Sequence, residues 1–112
     1  MHMMAAVANA DVVITNPTHY AVAIAYDREN DRAPRVVAKG ADFMAASIRE
    51  RARSCGVVIV ENPTLARSLH ASCEIDDIVP PRLYSSVARL LAFVYSLSPT
   101  ARVFREVHIM AG

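Results

Sequence analysis

The sequence predicts a single α/β domain: a four-stranded mixed sheet flanked by about three to four helices. Three observations lead there. Short β-branched runs cluster early, at 11–15, 20–26 and 35–39, separated by turn-forming residues. From residue 42 onward, helical patterns alternate with a fourth apolar run at 57–60, the order expected of helices packed on a sheet. The length of 112 residues suffices for one hydrophobic core but not for two.

Each element has its own local signature. Residues 3–10 are small and weakly patterned and read as a linker or a frayed helix. The first strand is 11–15. In the second, Tyr20, Val22, Ile24 and Tyr26 alternate with alanines, so one face is large and the other small. The charged stretch 27–34 reads as a turn ending in Pro34. The third strand is 35–39, with Gly40 placed to take a positive φ after it. Asp42 has the character of an N-cap. The helix at 43–55 repeats Phe43, Ala46, Ile48, Ala52 and Cys55 at roughly helical spacing, with Arg49, Glu50, Arg51 and Arg53 mostly off that face as a solvated surface. Gly56 ends it as a C′ residue. The continuous run 57–60 suits a strand covered on both faces, and it closes a right-handed crossover from the third strand. Asn62 and Pro63 open a helix over 62–72 as cap and first-turn residue. Residues 74–81 form a loop containing the solvated pair Asp76 and Asp77. The longest helix is 82–97, burying Leu83, Val87, Leu90, Leu91 and Val94. The tail 98–112 is left open between a short helix and no fixed structure.

Composition excludes several function classes. A net charge of +1 with scattered arginines gives no nucleic-acid footprint. No apolar run approaches the ~20 residues that span a bilayer, and no signal peptide is visible. Cys55 and Cys73 read as reduced, small apolar residues. Three glycines leave no phosphate-cradling loop, and there is no G-x-S-x-G elbow. The four histidines show no metal-ligand spacing, and no cofactor is implied. His70 reads as a surface or packing residue, and Tyr84, Phe93 and Tyr95 as core and interface aromatics.

What remains is the turn between the first two strands, Asn16-Pro17-Thr18-His19. Asparagine has two ring-forming reactions open to it. The next residue's backbone nitrogen can attack the side-chain amide, or the side-chain nitrogen can attack asparagine's own carbonyl carbon and break the main chain. Pro17 has no N–H, so the first route is shut and the second is left to Asn16. Pro17 also pushes Asn16 toward extended backbone. The second route needs the amide held close to the carbonyl, a base, and donors for the developing oxyanion. His19 is the candidate base, and the Thr18 N–H or hydroxyl a candidate donor. A plain Asn-Pro turn is the commoner use of such residues, and pattern alone favours it. The second Asn-Pro-Thr, at 62–64, has Leu65 in place of histidine and reads as a helix cap.

Around that turn, "ADVVITNPTHYAVAIAYDRE", "APRVVAKGADF", "ENPTLARSL" and "PPRLYSSVARLLAFVYSL" resemble the cytoplasmic domain of the FlhB/YscU family of type III secretion export-switch proteins. The resemblance covers about residues 3–97, and "YDRE", "VAKGADF" and "AFVY" are closest to its flagellar branch. It implies that 1–10 link to a membrane region absent from this sequence and that 11–97 are an autocleaving export-switch domain. It implies a break between Asn16 and Pro17, two fragments that stay together, and a resulting change of export substrate class from rod and hook (or needle) subunits to later ones. The implied partners are other export-gate components, export substrates and a length-control protein, at the cytoplasmic face of the bacterial inner membrane. Val58, Thr64 and His70 depart from the residues usual in the family, and none touches 16–19. On this reading "enzyme" applies only as a single self-acting turnover. The competing reading is a non-cleaving docking module for export substrates and export-gate proteins.

Overall fold

The structure, a computed structural model, describes residues 3–97 and the backbone of residues 106–108. Its elements are α1 (Met3–Val7), β1 (Val12–Asn16), β2 (Tyr20–Ala25), β3 (Arg35–Ala41), α2 (Asp42–Ser54), β4 (Ile59–Glu61), α3 (Pro63–Ser72), α4 (Pro81–Ser96) and β5 (Glu106–His108). One mixed sheet runs in the order β3-β2-β1-β4-β5. β1 pairs antiparallel with β2 and parallel with β4, while β3 lies antiparallel beyond β2. The four expected strands make the expected mixed sheet. β5 adds a short strand parallel to β4, a form that neither reading of the tail included. The rest of 98–112 lies outside the described residues.

Strand alternation divides the core in two. Val12, Ile14, Val22, Ile24, Val58 and Val60 face α3 and α4. Val13, Ala21, Ala23 and Ile59 face α1 and α2, with Val7 of α1 fully buried among them. The alanine face of β2 lets α2 lie close and fill the space with Ala45, Ile48 and Ala52. A register shift opposite Ala23 and Ile24 puts Val36 on the large face and Ala38 on the small one. An extra bulge residue produces that change of face, which strict alternation forbids. The outer edge of β3 is covered by the 74–79 segment through Val36 N–H to Asp77 C=O (2.9 Å) and Val79 N–H to Pro34 C=O (2.8 Å).

Local punctuation is mostly as expected. Gly56 has φ 71°. The Val57 N–H donates to Ala52 C=O at 2.9 Å and the Gly56 N–H to Arg53 C=O at 3.3 Å, the paired bonds of a Schellman end. Asn62 caps α3 by accepting from the Leu65 N–H at 3.2 Å, with Pro63 next. α4 buries Val87, Leu90, Leu91 and Val94, with Leu83 partly buried against them.

Three expectations are corrected around the start of α2. Gly40 lies inside β3 opposite Ala21 and has no positive φ. Glycine is required there because a Cβ would sit 2.7 Å from the Met44 Cβ. The positive φ falls on Asp42, at 48°. Asp42 is also not the cap, since Ala41 holds that position and no side chain caps the helix. Phe43, 84% exposed, and Ala46 face outward. The buried stripe of α2 is Ala45, Ile48 and Ala52.

Gly40→Ala is expected to lower the unfolding free energy by roughly 1–3 kcal/mol through overpacking against Met44. A chemical denaturation curve checks this. An unchanged midpoint would mean that the helix start yields freely.

Candidate functional site

The β1–β2 hairpin closes with Asn16 opposite Tyr20, so Pro17, Thr18 and His19 form the connection. These three are exposed, and Asn16 is half-buried at the strand end. The structure therefore keeps all four motif residues together at one end of the sheet. The turn is closed by the His19 N–H donating to the Asn16 C=O at 2.7 Å. The Pro17–Thr18 peptide is cis.

That hydrogen bond falls on the carbonyl of the Asn16–Pro17 peptide. A donor at this oxygen polarises the carbonyl carbon and favours negative charge as it develops. Sequence reasoning offered Thr18 for this task. In a four-residue turn the bond runs from residue i to i+3, so His19 is the donor. His19 thus gives its backbone N–H to this peptide, and its exposed imidazole belongs to the same turn. Asn16 carries its side-chain amide next to this carbonyl, and Pro17 has no N–H.

Both flanks of the turn are tied down. On one side the Asp42 N–H donates to the His19 C=O at 2.9 Å, and the Asp42 carboxylate lies 3.8 Å from His19 Nδ1. On the other, the Asn62 N–H donates to the Thr15 C=O at 3.0 Å, because the parallel register sets Glu61 opposite Thr15. The two Asn-Pro-Thr segments are therefore neighbours in space. Asp42 and Asn62 are contacts that sequence reasoning missed. The repeated Asn-Pro-Thr was the available signal for the second, since it marks two strands ending at the same edge.

Tyr20 packs its ring on His70 of α3, with centroids 4.4 Å apart and planes 32° apart. His70 is thus a packing residue beside the turn. Its C=O accepts from Lys39 Nζ at 2.9 Å. Burial first, and the Lys39 charge second, hold its pKa below the ordinary 6.5. Burial likewise pushes the Cys73 thiol up, away from reactive thiolate.

A second feature lies at the opposite ends of the strands. Tyr26, Arg28 and Pro34 face Tyr84, Ala88, Leu91, Ala92 and Tyr95 of α4 across a groove of about 110 Å³. The Arg28 guanidinium sits 4.9 Å above the Tyr95 ring, a cation–π contact that forms one wall. Tyr84 and Tyr95 thus line a groove, and Phe93 is 37% exposed on the same helix. By strand rise, Tyr26 is roughly 20 Å from Tyr20 and the turn. Among the described residues, no helix is long and apolar enough to cross a membrane.

The chain belongs to the FlhB, HrpN, YscU and SpaS family, whose model matches residues 1–94. It is 50% identical over 93 residues to the flagellar biosynthetic protein FlhB of Bacillus subtilis (strain 168), covering 83% of this chain and 26% of that protein. It is 48% identical over 95 residues to FlhB of Escherichia coli (strain K12), covering 85% and 25%. The chain thus spans about a quarter of the length of the curated relatives it matches. The crystal structure of the cytoplasmic domain of FlhB from Shewanella putrefaciens matches with a TM-score of 0.90 at 41% identity, covering 98% of this chain and 89% of that one. An EscU C-terminal domain shares the fold, with a TM-score of 0.80 at 24% identity, covering 83% of this chain and 99% of that one.

The lowered His70 pKa has a signed consequence. The unfolded chain takes up this proton more readily, so the contribution is present above the unfolded value of 6.5 and is lost as pH falls through the lower folded value. The melting temperature is expected to drop as pH falls below about 7, and to drop less in His70→Phe, which keeps the ring contact. Equal pH slopes for both proteins would refute the assignment.

Proposed function

We propose that this chain is the cytoplasmic portion of a flagellar type III export protein that cuts its own backbone between Asn16 and Pro17, and that the cut switches the class of substrate exported. The observation that supports this best is the 2.7 Å bond from the His19 N–H to the Asn16 carbonyl within an exposed Asn-Pro-Thr-His turn. In the proposed step, Asn16 Nδ2 attacks the Asn16 carbonyl carbon, and the imidazole of His19 takes a proton from that nitrogen. The bond to Pro17 breaks, and the proton passes to the proline nitrogen, which leaves as a secondary amine. The products are a succinimide at the end of a 16-residue piece and a free imino terminus on a 96-residue piece. The exposed Thr18 hydroxyl is a further donor available as the turn opens.

Cleavage at this point leaves the fold intact on physical grounds. β1 is an inner strand paired on both sides, and Val12, Val13 and Ile14 are fully buried. Each such side chain is worth roughly 1.5–3 kcal/mol of burial, so the short fragment stays bound. What changes is the freedom and charge of an exposed turn, which other export-gate components and a length-control protein would read. On this reading the domain works at the cytoplasmic face of the bacterial inner membrane.

A docking role is favoured by a separate observation, the tyrosine-rimmed groove along α4. Such an apolar slot with polar rims suits a short apolar segment of an export substrate. The two roles occupy opposite ends of the sheet and are compatible.

Intact mass under denaturing conditions tests cleavage. The unmodified chain is expected to give pieces of 16 and 96 residues, and Asn16→Ala a single piece of 112. One uncut mass from the unmodified chain would overturn the cleavage reading. Ala92→Arg should fill the groove and weaken export-substrate binding at least about tenfold, a loss of ~1.4 kcal/mol, while cleavage is unchanged. Binding as tight as that of the unmodified chain would remove the groove from the docking role.

A further inference from the structure

We propose that Asp42 is a positioning residue for the self-cleavage: its carboxylate holds the His19 imidazole so that Nδ1 carries the proton and Nε2 is the basic nitrogen. The inference rests on the cleavage reading above and adds a member to that site.

The placement comes from the fold. Asp42 lies at the junction of β3 and α2, where Ala41 is still paired with Tyr20. One residue further, the Asp42 N–H donates to the His19 C=O at 2.9 Å, so the two residues are tied together by backbone. Asp42 has φ 48°, a left-handed conformation that aspartate tolerates better than branched or bulky residues. The carboxylate does not cap α2, whose N-cap position is Ala41 with no side-chain bond. Instead it stands 3.8 Å from His19 Nδ1.

The chemistry follows from the imidazole. A neutral ring has one N–H, and the group facing one nitrogen decides which nitrogen keeps it. An anion facing Nδ1 favours the proton there and leaves the Nε2 lone pair free. In the cleavage step Nε2 takes the proton from Asn16 Nδ2 as the new C–N bond forms. It returns that proton to the Pro17 nitrogen as the old C–N bond breaks. Asp42 neither gains nor loses a proton; it orients the ring and stabilises the imidazolium that exists between the two transfers. At 3.8 Å and with both groups exposed, the contact becomes an ion pair only while the ring is protonated, and salt weakens it.

A plainer use of an acid here is to complement the positive end of α2. That use would move stability and leave the cleavage rate alone. The test is a cell-free synthesis pulse of the unmodified chain, Asp42→Asn, Asp42→Gly, Asp42→Glu and Asn16→Ala, quenched at intervals into denaturant, with fragments quantified by mass. Asp42→Gly is included because glycine suits the left-handed backbone. Asp42→Asn and Asp42→Gly are expected to cleave roughly five- to twentyfold more slowly, a fraction of the ~10²–10⁴ that a placed base supplies. Their melting temperatures should stay near that of the unmodified chain, and Asp42→Glu should recover most of the rate. Raising salt from about 0.05 M to about 0.5 M should slow the unmodified chain toward the Asp42→Asn rate and leave Asp42→Asn little changed. Full-rate cleavage by both Asp42→Asn and Asp42→Gly would overturn this inference and leave the cleavage reading standing. Loss of rate in Asp42→Glu equal to that in Asp42→Asn would also overturn it. An uncut unmodified chain would overturn both.

Discussion

The parallel ladder between β1 and β4 sets the position of everything at the turn end of the sheet. Thr15 lies opposite Glu61, and the ladder ends where the Asn62 N–H meets the Thr15 C=O at 3.0 Å. β2 holds β1 from the other side, so the backbone reaches Asn16 with no freedom to slip. Register is fixed strongly, because Val12 and Ile14 fill one core while Val13 fills the other. A shift by one residue would exchange the two faces, putting large side chains against the alanine-lined layer. The hydrogen bond from His19 to the Asn16 carbonyl inherits this precision. It is made within a turn whose two ends cannot move independently.

The neighbouring Asn-Pro-Thr segments show how context divides identical residues. Both follow strands that end at the same edge. At 62–64 the chain enters a helix, and the Asn62 side-chain oxygen is occupied by the Leu65 N–H at 3.2 Å. Leu65 and Ala66 then bury themselves against the sheet. At 16–18 the chain must return as β2, and the next residue is an exposed histidine whose N–H points back at the asparagine carbonyl. One asparagine is used to start a helix. The other is left at a peptide bond whose carbonyl accepts the His19 N–H, in a turn that also carries the histidine side chain.

The remaining surface features are arranged around a rigid sheet. The turn is at one end of β2 and the aromatic groove is beyond the other. Tyr20 packs on His70 near the first, and Tyr26 lines the second. Since both faces of the strands between them are buried, a change at the turn reaches the groove only through the packed layers and not through a flexible loop. The two proposed roles therefore use different residues at opposite ends of the sheet.

Much of this was legible in the residues themselves. The alternation in 20–26, the Gly56 helix end, the Asn62 cap, the buried stripe of α4 and the chemical peculiarity of Asn16-Pro17-Thr18-His19 all follow from neighbours within a few positions. Those signals are local, and local physics decides them: pleat alternation, capping, and the missing N–H of proline. Other features depended on closure of the chain. The outward turn of Phe43, the close packing that demands glycine at 40, the bulge that sends Val36 and Ala38 to opposite cores, and the β5 strand each arise where distant segments meet. So does the meeting of Asp42 with His19, which are 23 positions apart and joined only once β3 has paired with β2. The sequence alone determined which peptide bond is unusual. Only the tertiary structure decided which groups surround it, because those contacts are set by strand pairing between residues that no local pattern connects.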